Sequence, residues 1–177
     1  PDIICMAKGL SGGYLPLAAT LCRRRIAEAF EGDLDENRTL YHGHTFTGNP
    51  LACAAALASL DLFDRHDILT RVRLHESRIR VALETLRDHP HVRDVRQRGV
   101  MVGVELAADR ASGRPFDPAR RVPHHLCLAM RRAGLMVRPL GDVIILMPAP
   151  AMDDTTLADA LAIFVRTLEG FDFPSPG

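Results

Sequence analysis

The apolar residues of this chain are unevenly distributed, and their pattern shifts near residue 66. Ile3-Ile4-Cys5-Met6-Ala7 is a short, continuous apolar run, which predicts a buried strand. It enters Lys8-Gly9-Leu10-Ser11-Gly12-Gly13, a loop with unusual backbone freedom. Leu17 to Cys22 predicts a second strand, and Arg23 to Glu31 a short helix closed by Gly32. Asp33 to Arg38 is polar, and 41–48 is a polar loop holding aromatic and small residues. Asn49-Pro50 then supplies an N-cap and a first-turn proline for an Ala-rich helix over Leu51–Phe63. Its many small residues predict close packing against another element or another subunit.

Beyond that point the periods lengthen. Leu69, Val72, Ile79, Leu83 and Leu86 recur at helical steps, so 67–87 reads as one amphipathic helix with a polar gap near Glu76. His89-Pro90 ends it. Strands are predicted at Val92–Arg96 and Met101–Leu106, around a turn at Gly99. A polar loop over 107–119 leads to a helix at Val122–Ala133, stopped by Gly134. Two more strands, Leu135–Arg138 and Val143–Met147, precede a final helix over Asp153–Leu168 with Asp in its first turn. The pattern therefore divides the chain into residues 1–65, with too few strands to close a sheet, and 66–177, a compact α+β unit. There are no internal repeats.

Composition narrows the function classes. Among 177 residues, 22 are basic and 22 acidic, so a strongly basic nucleic-acid binder is not expected. No apolar run approaches the roughly 18–20 residues that span a bilayer. The expectation is a cytoplasmic protein with no membrane partner. Cys5, Cys22, Cys53 and Cys127 form no CxxC pair, and three lie in apolar segments, so free buried thiols are expected. His42, His44, His124 and His125 lack ligands at useful spacing, so no metal is expected.

One count changes the picture. Of the 22 basic residues 21 are Arg, and the single Lys is Lys8. It stands where an apolar strand meets a glycine loop. Partial desolvation there would disfavour its charged form and suit it to attack a carbonyl carbon. The alternative is a lysine snorkelling from a strand end. The His42–Asn49 loop offers the Thr45 hydroxyl and a flexible Gly43 before a helix N-terminus, an arrangement that suits an anion such as phosphate. It could equally be a turn capping a packed helix, with His44 on the surface. Arg138, ending a strand before Pro139, could clamp a carboxylate with two parallel hydrogen bonds, or pair structurally with Asp142. Arg98-Gly99 reads as structural.

Taken jointly, these segments resemble a known family. Asp2–Gly13 is similar to the lysine segment of class III aminotransferases, and His42-Gly43-His44-Thr45-Phe46-Thr47-Gly48-Asn49-Pro50 to their second signature. Arg138-Pro139 with the strand ending Leu146-Met147-Pro148 is similar to one branch. That branch transfers the amino group of S-adenosylmethionine to 8-amino-7-oxononanoate in biotin biosynthesis.

The resemblance implies an α/β fold, the fold type I architecture of enzymes dependent on pyridoxal 5'-phosphate. Residues 1–65 would be the C-terminal part of the large domain, and 66–177 a linker helix and the α+β small domain. It implies that Lys8 holds the cofactor and then moves a proton as base and acid. Thr45 with His44 would bind the cofactor phosphate across a homodimer interface. Gly43 would lie against the substrate, and Arg138 would take its carboxylate. The family's acidic partner for the pyridine nitrogen, its Gly-Ser phosphate segment and its stacking aromatic lie upstream of the lysine. The chain therefore resembles the C-terminal part of a longer enzyme, and these residues alone are expected to bind the cofactor poorly and not to transaminate. The alternatives are another class III aminotransferase acting on an ω-amino acid or diamine, an aminomutase of the same fold, and a non-catalytic dimerisation or binding module.

Overall fold

The computed structural model describes residues 1–174. The chain divides into two compact units, residues 1–67 and the remainder from Ile68.

The first unit opens with β1 (Ile3–Met6) and β2 (Ala19–Cys22), paired antiparallel with Ile3 opposite Cys22 and Met6 opposite Ala19. The carboxylate of Asp2 accepts from Arg25 and pairs with Arg23 at 3.1 Å, fastening the open end of this ribbon. The ribbon is exposed on both faces, with Ile3 and Leu21 each about half accessible. This corrects two expectations. The first strand is not buried, and Cys5 and Cys22 are exposed thiols, whereas Cys127 is buried. A continuous apolar run is buried only where layers cover both faces of a sheet, and two strands supply neither layer. A short helix, α1 (Arg24–Ala27), continues into a single 3₁₀ turn at Glu28–Phe30. The unit's main element is α2 (Pro50–Arg65). Asn49 caps it, its side-chain oxygen accepting from the N–H groups of Leu51 and Ala52 at 3.0 and 3.2 Å.

The second unit holds the hydrophobic core. Four antiparallel strands, β3 (Val92–Arg98), β4 (Met101–Leu106), β5 (Arg138–Leu140) and β6 (Val143–Leu146), lie in the order β3-β4-β6-β5. Their inward row runs Val95, Val104, Ile144 and Pro139. Around them stand α3 (Ile68–Ala82), α4 (Val122–Arg132) and α5 (Asp154–Glu169). These helices bury Ile79, Leu126, Met130, Leu157, Leu161, Phe164 and Leu168 in one cluster with the strands.

The buried face of α3 differs from the expected one. It runs Ile68, His75 and Ile79, with Val72 half-buried between them, and Leu69 is exposed. A histidine fills an apolar step. Its Nε2 lies 3.3 Å from a carboxylate oxygen of Asp154, which also accepts from Arg78. The polar gap at Glu76 has a partner too. Its carboxylate accepts the Gly99 N–H at 3.1 Å, holding the β3–β4 turn in which Gly99 adopts a φ of +57°.

The strand expected at Leu135–Arg138 begins three residues later, and the helix end explains why. Leu135 N–H donates to the Met130 carbonyl at 2.9 Å, and Gly134 N–H to that of Arg131 at 3.1 Å. This is a Schellman closure of α4, with Gly134 at a φ of +102°. Leu135 is consumed by the cap and packs against the core. β5 follows as an edge strand, where Pro139 can lack its ladder donor without loss.

Candidate active site

Lys8 begins a single 3₁₀ turn, Lys8–Ser11, directly after β1. The turn reverses through Gly12 and Gly13, with φ values of +61° and +85°, a backbone that L side chains adopt only with strain. Its geometry fixes the lysine's root. The Lys8 carbonyl accepts from the N–H of Gly12 and, at 3.1 Å, from that of Gly13, while Leu10 N–H donates to Ala7 at 2.8 Å. The Lys8 side chain is exposed, so the expected partial desolvation is absent. The β1–β2 ribbon that leads to it is likewise exposed, at Ile3, Ile4, Met6 and Leu21.

Beneath the lysine the packing is tight. The turn packs on α2, and Ser11 is only 2% exposed there. Its hydroxyl donates to the Leu15 carbonyl at 2.5 Å and accepts the Leu15 N–H at 3.4 Å. Sequence reasoning gave Ser11 no role. The available signal was a hydroxyl before a Gly-Gly reversal, a pattern that ties side chain to backbone.

The loop before α2 is exposed throughout. Thr47 N–H donates to the His44 carbonyl at 2.9 Å, and Phe46 N–H to His44 Nδ1 at 3.3 Å. Nδ1 is thus an acceptor here. The Thr45 hydroxyl opens to solvent within a turn closed by Gly48 at a φ of +70°. Open space surrounds Gly43. This loop and the Lys8 turn are both carried on α2, one at its capped N-terminus and one on its flank.

Arg138 belongs to the second unit. Cross-strand register puts Arg96, Gly103, Ile145 and Arg138 in one row on the face of the sheet opposite the core. Neighbouring arginines on this face are engaged. Arg96 pairs with Asp94 at 3.0 Å and Glu105 at 2.7 Å, and Arg93 with Glu105 at 3.3 Å. Among the described residues, no carboxylate pairs with Arg138. The alternative partner, Asp142, instead has its carboxyl raised above the usual range, by burial first and then by the charge of Glu105. A groove of about 670 Å³ beside α3 and α5, lined in part by Arg78, Thr85, Asp154 and Arg166, contains none of the expected site residues.

The first unit thus carries a lone lysine on a glycine turn and a Thr-bearing loop on the same helix. The family model described as "Aminotransferase class-III" matches residues 1–168. The chain belongs to the class III aminotransferases. It is 51% identical to the adenosylmethionine-8-amino-7-oxononanoate aminotransferase of Nitratidesulfovibrio vulgaris, over 89% of this chain and 29% of that protein. The crystal structure of the enzyme of that name from Methanocaldococcus jannaschii superposes with a TM-score of 0.91. It is 37% identical over 98% of this chain and 40% of its own. An amine transaminase from an uncultivated Pseudomonas species, solved in its PLP-bound form, gives a TM-score of 0.88. It is 35% identical over 96% of this chain and 38% of its own. The fold is therefore that of PLP-dependent transaminases, and this class III chain spans 29% to 40% of the lengths of these three relatives. Among the described residues, no helix is long and apolar enough to cross a membrane.

Proposed function

We propose that this chain is part of a transaminase that moves the amino group of S-adenosylmethionine to 8-amino-7-oxononanoate. The product is 7,8-diaminononanoate, an intermediate of biotin biosynthesis, and pyridoxal 5'-phosphate is the cofactor. Residues 1–65 would belong to the cofactor-binding large domain and 66–177 to the small domain. The enzyme would be a cytoplasmic homodimer. The observation that carries this reading is Lys8, the chain's only lysine, exposed on a turn whose carbonyl two glycine N–H groups hold.

The residues present suit two ends of the cofactor. A primary amine at Lys8 fits an aldehyde, and the Thr45 hydroxyl beside the His44 loop fits a phosphate. Asp2, the acid nearest Lys8 in sequence, is engaged by Arg23 and Arg25, so it is not offered as the partner of a pyridine nitrogen. When bound, the cofactor supplies an electron sink for the carbon that bears the amine.

The chain's own groups do the rest. Lys8 Nζ takes the proton from the substrate's amine-bearing carbon as a base, then returns one as an acid. Thr45 and His44 hold phosphate, in this reading in the partner subunit's site. Gly43 leaves room for substrate. Arg138, which pairs with no carboxylate among the described residues, takes the carboxylate of 8-amino-7-oxononanoate through its planar fork of donors.

The similarity to an amine transaminase supports a second reading, action on an ω-amino acid or diamine. Comparing amino donors separates the two. S-adenosylmethionine should support turnover of 8-amino-7-oxononanoate, while alanine and glutamate should not. Turnover with alanine or a diamine, and none with S-adenosylmethionine, would establish the second reading instead.

A further inference from the structure

Only three residues of the first 67 are buried: Ser11, Ala52 and Ala56. Two of them are small residues one turn apart on α2, and the third is the serine of the lysine turn. The best-packed point of the first unit is therefore the point where the Lys8 turn rests on α2. Ser59, further along the helix, lies near the same turn, its hydroxyl 3.7 Å from where a Cβ on Gly12 would stand.

A chain of hydrogen bonds runs from this point to the lysine. The Ser11 hydroxyl engages both the carbonyl and the N–H of Leu15. Tyr14 N–H donates to the Ser11 carbonyl at 3.2 Å, which narrows the Ser11–Leu15 reversal further. That reversal contains Gly12 and Gly13, whose N–H groups hold the Lys8 carbonyl. A buried hydroxyl with both functions satisfied fixes the backbone it touches, because breaking either bond leaves a polar group dry.

We infer that Ser11 is a positioning residue for Lys8: its buried hydroxyl ties the two ends of the glycine reversal together through Leu15 where the turn packs on α2, and the reversal fixes the root from which the lysine amine swings. The inference rests on Lys8 being the residue that carries the cofactor. Ser11 touches neither cofactor nor substrate, and acts through the backbone. A root displaced by about 1 Å is enough to cost a reacting amine much of its efficiency.

The test uses the complete gene product incubated with pyridoxal phosphate below saturation and then reduced with borohydride. Lys8 Nζ and the aldehyde lose one water, and hydride addition to that carbon leaves a stable secondary amine, which peptide mapping assigns to Lys8. The companion readout is the pH dependence of the visible absorption before reduction. Ser11→Ala should lower the trapped fraction at Lys8 about tenfold and displace the pH profile. Ser11→Thr, which keeps the hydroxyl, should restore both. Ala27→Gly, in the short helix of the same unit, should lower thermal stability and leave both readouts unchanged.

Should Ser11→Ala fail to fold, Gly13→Ala decides. It strains the reversal at a φ of +85° without any clash, and it should show the same loss. Wild-type trapping at Lys8 together with wild-type behaviour of Ser11→Ala, or of Gly13→Ala in its place, would overturn the positioning role and leave the proposed function standing. No trapping at Lys8 in the wild type would overturn both.

Discussion

Arg138 and Arg96 share one row of the sheet, yet they stand in opposite electrostatic situations. Arg96 is held by Asp94 and Glu105, and those bonds keep its guanidinium more firmly protonated than usual. Arg138 has no carboxylate partner among the described residues, so its donors are available to a ligand. The expected outcome for Arg138→Ala is a rise in KM for 8-amino-7-oxononanoate of tenfold or more, corresponding to about 1.5–3 kcal/mol for a charged hydrogen bond. Cofactor absorption should hardly change. Equal damage to both, measured by steady-state kinetics and a cofactor titration, would make Arg138 structural. Sequence placed this residue at a strand junction, but it could not separate the clamp from an ion pair with Asp142. That choice depends on register, which puts Arg138 opposite Ile145.

Among elements, the well-marked helices were legible. Asn49-Pro50 placed the start of α2, and Gly134 the end of α4, because caps are local chemistry. What was not legible depends on neighbours distant in sequence. His75 occupies a core step of α3 because Asp154, 79 residues later, meets its Nε2, and no periodicity count would choose a histidine there over Leu69.

The pairing of α3 with α5 also has a pH signature. Asp154 sits below the ordinary carboxylate range, chiefly because Arg78 donates to it and secondarily because His75 does. A carboxylate with a depressed folded value contributes stability that is complete above its unfolded value, about 3.9, and is lost as pH falls through the folded one. Wild-type Tm should therefore drop as the pH is lowered below about 4. Asp154→Asn should start lower at neutral pH and lose less on acidification. Parallel Tm–pH curves for the two proteins would refute this assignment.

At the scale of the whole molecule, the two units differ in how they are held. The core cluster lies wholly beyond residue 78, whereas the first unit buries two alanines and a serine. Amide hydrogen exchange on the 177-residue chain should therefore find strong protection in β3, β4, β6 and α5, and fast exchange in β1 and β2. Comparable protection in the β1–β2 ribbon would contradict that division. The apolar run at Ile3–Ala7 predicts a strand, which forms, and burial, which does not, since burial belongs to the layers around a strand and not to the strand itself.

The catalytic account depends on Lys8, and the most direct measurement is the visible absorption of the complete gene product with pyridoxal phosphate, wild type against Lys8→Ala. The account predicts a visible band from cofactor joined to the wild-type lysine, and loss of that band and of transamination in Lys8→Ala. A variant that keeps the band and the activity would contradict it.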